Sequence, residues 1–248
     1  MSAVRLGALI AAGEGSRLAR DGFAMAKPLV PIAGLPLVEY AVRNLEAAGV
    51  TRLAAIFNER EDECARYVRE QFAHLSPEIV IKTTPSSLAS FREVLSRLPE
   101  GRVLVSTVDA FCLPDQAAAL GHRAEEIPED ATLLGVTNFV HDEKPLWVRF
   151  GDGGRISRIG GDAGDAVTAG FYSVPQNVRE LKPLPSHDRL RAFLAWLSER
   201  GESLYAHSMG RVVDVDRAED VALAEKMTKE TTGAMKQKRA AAAAGGAK

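Results

Sequence analysis

The chain is poor in cysteine and aromatic residues, and it contains no long apolar run. Its 248 residues include only Cys64 and Cys112. These show no CxxC spacing and stand beside no histidine cluster, so they build neither a disulfide framework nor a cysteine zinc site. The reading is two reduced thiols. No charged leader followed by a long apolar stretch opens the chain. The run Leu6–Ala12 is interrupted by Gly7 and falls well short of the ~20 residues a spanning helix needs. Both absences point to the cytoplasm and away from a membrane. An excess of one charge is missing too: the formal net charge is -2. That excludes the global basic field of a nucleic-acid binder, though not a local positive pocket for a small phosphorylated ligand. No internal repeat recurs at a fixed period.

Two phosphate-binding signatures are also lacking. GxxxxGK[ST] occurs nowhere, which excludes a P-loop. Leu18 stands where GxGxxG needs its third glycine, which argues against a Rossmann dinucleotide site.

What is present is an alternation of short apolar runs with amphipathic stretches. Arg5–Ile10, Arg52–Phe57, Glu78–Thr83 and Arg102–Thr107 read as strands. Pro36–Ala48, Glu61–Leu75 and Ser87–Leu98 carry apolar residues at helical spacing between them. Pro36 suits a first turn and Gly49 an end. Such alternation implies right-handed β-α-β units and a parallel sheet that binds ligands at its strands' carboxyl ends. The second half changes texture. Thr132–Thr137, Leu146–Phe150, Arg155–Ile159, Val167–Val174 and Arg211–Val215 read as strands, with a hairpin turn at Gly151–Gly154. Asp188–Glu199 and Glu219–Met227 read as helices. The expected fold is α/β: a Rossmann-like three-layer sandwich with a mixed, mainly parallel central sheet and a small substrate-side β extension. Residues 1–232 form one domain, and the alanine-rich stretch 233–248 reads as a flexible tail.

The most informative segment is Leu9-Ile10-Ala11-Ala12-Gly13-Glu14-Gly15-Ser16-Arg17-Leu18. A buried strand runs into small residues and two glycines, where backbone N–H groups can approach phosphate oxygens closely. Arg17 offers a planar, charge-assisted partner for a phosphate, and Lys27 a point charge beside Pro28. Val103–Asp109 is an apolar strand ending in a carboxylate, and Val212-Val213-Asp214-Val215-Asp216 is a second such pattern. One carboxylate from each of two strands, with phosphate oxygens and waters, suits Mg²⁺. Read alone, each aspartate is equally a strand terminus or, for Asp216, a helix cap.

The run Ala11–Leu18, then Lys27-Pro28-Leu29-Val30-Pro31-Ile32, then Gly34-Leu35-Pro36-Leu37-Val38-Glu39-Tyr40 resembles the signature of the sugar nucleotidyltransferase family. One departure is Ala26, where the family usually has proline before the lysine. The resemblance implies a nucleotidyltransferase that joins an NTP to a sugar 1-phosphate or similar phosphorylated small molecule, with Mg²⁺, releasing pyrophosphate. It assigns nucleotide contacts to Leu9, Ala11, Ala12, Gly13, Glu14, Gly15, Ser16 and Arg17. Catalytic roles fall to Arg17, Lys27 and Asp109. Asp109 and Asp214 match the family's metal ligands, with Asp216 as the alternative to Asp214. The base-recognition loop corresponds to Thr84–Ser90, which places Ser86 and Ser87 near the nucleotide, with Ser87 where glycine is common. Ala169-Gly170-Phe171-Tyr172 resembles the family's sugar-side glycine element, and Glu143-Lys144-Pro145 its EKP motif, although here EKP precedes the hairpin. Asp109, Lys144 and Gly170 are therefore the expected acceptor contacts. The implied partners are the NTP and the phosphorylated acceptor, with no nucleic acid and no membrane; a homodimer is the default assembly. Alternatives of other kinds are a molybdopterin-type nucleotidyltransferase and a regulator that binds nucleotide sugar without turnover.

Overall fold

The computed structural model describes residues 5–13, 15–141, 144–182 and 188–245, and from residue 232 onward the backbone alone. Glu14 and Glu143 fall outside the described residues.

Strand β1 (Leu6–Ala11) leads into the short helix α1 (Ser16–Arg20). A 3₁₀ turn at Lys27–Leu29 and the small ribbon β2 (Pro31–Ile32) and β3 (Leu35–Pro36) follow. Then come α2 (Leu37–Ala47), β4 (Arg52–Phe57), α3 (Asp62–Gln71), β5 (Glu78–Ile81), α4 (Ser87–Leu95) and β6 (Val103–Thr107). β1 pairs in parallel with both β4 and β6, and β4 with β5. This is the β-α-β half expected from the alternation.

The second half adds β7 (Ala110–Phe111), α5 (Pro114–Glu126), β8 (Thr132–Thr137), β9 (Trp147–Phe150), β10 (Ile156–Ile159) and β11 (Ala166–Val174). After them come α6 (Gln176–Arg179), α7 (Leu190–Glu199), β12 (Leu204–Ser208), β13 (Val213–Asp214) and α8 (Ala218–Gly245). β11 runs antiparallel to β6 and extends the sheet, which reads β10-β9-β11-β6-β1-β4-β5 with β8 and β12 branching from β11. The β9–β10 hairpin is the expected extension. Helix α5, strand β12 and the two-residue strands β2, β3 and β7 are elements the periodicity does not reveal, whereas β13 falls within the expected strand Arg211–Val215. Helical backbone continues to Gly245, into the stretch for which the sequence suggests a flexible tail; alanine, lysine and glutamine are strong helix formers.

Strand alternation divides the core. Leu9, Ala11, Leu53, Ala55 and Phe57 face the layer holding α2, α3 and α5. Leu6, Ala8, Ile10, Ala54 and Ile56 face α4 and α7. A third cluster, with Leu18, Val30, Ile32, Phe111, Val213 and Val215, clamps the glycine loop, the lysine turn and the C-terminal aspartate strand together. Among the described residues no helix is long and apolar enough to cross a membrane.

Candidate active site

The glycine loop and the lysine turn meet because one residue lacks a side chain. Gly15 has φ +58, and a Cβ there would stand 2.8 Å from the Cβ of Lys27. Only glycine allows both the left-handed backbone and that approach. Lys27 opens its 3₁₀ turn with Pro28, and the turn is held by the buried side chains of Val30 and Ile32. Its stem is buried, leaving the residue 7% exposed, while the ammonium reaches the carboxyl end of the sheet.

The aspartates are brought together by long-range pairing. Val108 N–H donates to the Ile10 carbonyl at 2.9 Å, which extends β6 beside β1 and delivers Asp109 to the crevice. Antiparallel pairing of β7 with β13 sets Ala110 opposite Asp214, and Val215 N–H donates to the Asp109 carbonyl at 2.9 Å. The carboxylates of Asp109, Asp214 and Asp216 consequently offer oxygens within 4.8 Å of one another. Lys27 Nζ donates to Asp109 Oδ2 at 2.8 Å and also to Asp216 Oδ1. Arg17 donates to Asp216 Oδ2. Helix capping, the other reading of Asp216, falls instead to Asp21, whose Oδ2 accepts the N–H of Ala218 at 3.0 Å, and to Asp220. Its Oδ2 accepts the N–H groups of Asp216 at 3.0 Å and Arg217 at 2.8 Å.

The electrostatics follow from this geometry. Burial alone would lower the pKa of Lys27, but the charges of Asp109, Asp216 and Asp214 outweigh it and hold the ammonium above the usual lysine range. For Asp109 burial works upward, and the Lys27 charge and hydrogen bond outweigh it, so the carboxyl is held below its usual range. Asp109 is therefore held ionised and Lys27 protonated at neutral pH. Clustered hard oxygen donors fit a small divalent cation such as Mg²⁺.

Beside these carboxylates lies a cavity of about 270 Å³ between β6, β11 and the start of α7. Its lining includes Thr107, Asp109, Lys144, Gly170, Arg191 and Asp214. Gly170 has φ +74, and a Cβ there would come within 2.6 Å of Thr107 Oγ1 and 2.7 Å of Ala110 Cβ. The need for glycine is thus already set by packing under the site, at the point where the β11–β8 register shifts. Ser87 borders the same cavity, its Oγ accepting the Leu190 N–H at 3.0 Å, and Ser86 Oγ caps α4 by accepting the Ala89 N–H at 3.2 Å. Both serine hydroxyls are engaged in holding α4 and α7. The side chains of Leu9 and Ala11 belong to the core, so any nucleotide contact from them is through backbone. Gly13 and Ser16 are exposed on the loop, and Ala12 is half-buried against the core. Arg191, absent from the sequence reading, donates to the Lys144 carbonyl at 2.7 Å. It sits in an ordinary amphipathic helix start, and no local signal distinguishes it from a solvent-facing arginine.

Glu61, also unanticipated, is 6% exposed at the start of α3. Burial pushes its carboxyl up to about 7, against the pull of the Asn58 N–H and the Lys27 charge. An acid whose folded pKa lies above its unfolded value destabilises the protein increasingly as pH rises through that interval. Stability should therefore fall as pH rises from the ordinary carboxylate range toward 7. Glu61→Gln is expected to abolish that slope and raise Tm at pH 8 but not at pH 4; equal melting shifts at both pH values would refute the assignment.

A family model described as "MobA-like NTP transferase domain" matches residues 7–212. The chain is 28% identical over 240 residues to the bifunctional IPC transferase and DIPP synthase of Rubrobacter xylanophilus, covering 89% of this chain and 51% of that protein. The chain thus spans about half the length of that relative. It is 26% identical over 178 residues to the 2-aminoethylphosphonate cytidylyltransferase of Lancefieldella rimae, covering 69% of this chain and 68% of that one. Among solved structures, the inositol-1-phosphate CTP transferase of T. maritima superposes with a TM-score of 0.78 at 20% identity, over 92% of this chain and 96% of that one.

Proposed function

The chain belongs to the MobA-like NTP transferase family, and from that premise we propose that it transfers the nucleotidyl group of an NTP to a small phosphorylated acceptor, releasing pyrophosphate. The observation that carries this reading is the Lys27 ammonium set between Asp109 and Asp216, beside Asp214, at the mouth of a cavity large enough for a small phosphate ester. CTP is the nucleotide to try first, because relatives named for cytidylyl and CTP transfer recur in both comparisons. A cyclitol phosphate or sugar 1-phosphate is the proposed acceptor class.

An oxygen of the acceptor's phosphate attacks the α-phosphorus. The bond to the β-phosphate bridging oxygen breaks, and pyrophosphate leaves with the electron pair. The attacking phosphate is already ionised, so no general base is required. Catalysis comes from positioning and charge neutralisation. Lys27 faces the negative charge that grows on the α-phosphate oxygens, and Arg17 with the loop N–H groups holds the leaving pyrophosphate. Asp109 and Asp214 would hold Mg²⁺, which when bound supplies charge neutralisation to the phosphates. The cavity around Thr107 and Gly170 receives the acceptor and keeps its phosphate near Asp109.

Arg191 lines that cavity with its guanidinium fixed by the Lys144 carbonyl, and we assign it to the acceptor. Arg191→Gln is expected to raise KM for the acceptor roughly tenfold, the cost of a charge-assisted hydrogen bond, and to leave KM for the NTP within about twofold. Equal increases in both constants would remove Arg191 from the acceptor site.

The reading is tested by pyrophosphate release with Mg²⁺, crossing CTP, UTP, GTP, ATP and dTTP against inositol phosphates, sugar 1-phosphates and 2-aminoethylphosphonate. Release that needs one nucleotide together with one acceptor supports it. No release with any pair, alongside tight binding of a nucleotide-linked sugar or cyclitol, would replace the enzyme with a binding module.

A further inference from the structure

Asp216 belongs to the carboxylate cluster with Asp109 and Asp214, yet it is also the carboxylate bridged by two cations. Each of its oxygens is taken by a cation, Oδ1 by Lys27 and Oδ2 by Arg17. Its side chain is 29% exposed and that of Lys27 only 7%, so the pairs are partly shielded from solvent. Asp21 and Asp220 accept the N–H groups at the start of α8. Asp214 lines both the acceptor cavity and a smaller neighbouring cavity of about 50 Å³, whereas Asp216 lines only the smaller one, together with Arg17. Asp214 therefore faces the acceptor cavity alongside Asp109, and Asp216 faces Arg17 and Lys27.

Arg17 and Lys27 are the two groups that the reading above, on which this inference rests, gives to the nucleotide phosphates. A carboxylate that bridges them has the same sign and the same donors as a phosphate group. We propose that Asp216 is a positioning residue for the reaction: an internal anion that competes with phosphates for Arg17 and Lys27 and so sets how tightly the site retains pyrophosphate, without ligating the metal. As the NTP binds, its phosphates take over donors that Asp216 held; as pyrophosphate leaves, Asp216 takes them back. The contact lowers affinity for the leaving group and favours its departure.

The test is binding of two probes to the purified full chain. Pyrophosphate is titrated by calorimetry in metal-free buffer, and Mn²⁺ is titrated by paramagnetic resonance. Asp216→Asn is expected to bind pyrophosphate at least threefold more tightly than the wild type and Mn²⁺ within threefold of it. Asp214→Asn is expected to weaken Mn²⁺ at least tenfold. Asp216→Ala, checked by circular dichroism, serves as a second variant and should shift pyrophosphate binding in the same direction. Pyrophosphate affinity that weakens, or changes less than threefold, in both Asp216 variants would overturn the competition. Mn²⁺ affinity that drops as far in Asp216→Asn as in Asp214→Asn would make Asp216 a ligand instead. Neither readout needs turnover. A wild type that binds both probes yet fails every substrate pair overturns the transferase reading alone, and a wild type that binds neither overturns both.

Discussion

Asp109→Asn should lower kcat on the order of 10³-fold with the fold intact. The substitution keeps the shape of the side chain and removes the charge that a metal and the reacting phosphates meet, and losing one preorganised electrostatic group in such sites costs about 10²–10³. The fold survives because Lys27 loses only one partner: Asp216 still pairs with it, and Val215 still donates to the Asp109 main-chain carbonyl. Melting temperature should move by only a few degrees, and Mn²⁺ binding should weaken along with kcat. A variant that keeps more than a tenth of wild-type kcat would remove Asp109 from the metal site.

Lys27→Met separates catalysis from charge balance. The methionine fills the buried stem but leaves Asp109 and Asp216 without the ammonium that both contact. Activity should fall about 10²–10³-fold, because the charge facing the α-phosphate is gone. Stability should fall by about 2 kcal/mol, less than for a fully buried pair because both carboxylates are partly exposed. The sign with pH follows from Asp109, whose folded pKa is lowered chiefly by Lys27 against its burial. That stabilisation is present above the unfolded carboxylate pKa and is lost as pH falls through the folded value. In Lys27→Met it should be missing at pH 7 and make little difference at pH 3. Added Mg²⁺ should also raise Tm more in this variant than in the wild type, since a cation then relieves unpaired carboxylates. A Tm at pH 7 equal to that of the wild type, unmoved by Mg²⁺, would show that the carboxylates do not depend on Lys27.

Much of the fold was legible because its signals are local. The strands of the first half and the helices between them follow from apolar periodicity, and Gly151–Gly154 announces the β9–β10 hairpin. Helix α5 was not legible: its alanines, Gly121 and short apolar stripe give little amphipathic contrast, and the helix is fixed by packing on α2, where a Cβ on Gly121 would meet the Ala48 carbonyl at 2.3 Å. Strand β12 was missed for a similar reason. Its sequence, Leu204–Ser208, is ordinary, and its pairing with β8 determines it.

The division within the site has the same cause. The sequence alone determined the chemistry available: a glycine loop with Arg17, a lysine beside a proline, and an aspartate at the end of each of two apolar strands. It also determined that Asp109 would reach the carboxyl edge of a parallel sheet, because that depends only on strand direction. Only the tertiary structure decided which charges each of the three aspartates faces. The β7–β13 pairing, between segments about a hundred residues apart, puts Asp214 against Asp109, and the apolar cluster of Leu18, Val30, Phe111 and Val213 carries Arg17 and Lys27 to Asp216. Arg191 and Glu61 acquire their environments in the same way. Burial and charge pairing depend on which distant segments pack together, and local periodicity does not encode them.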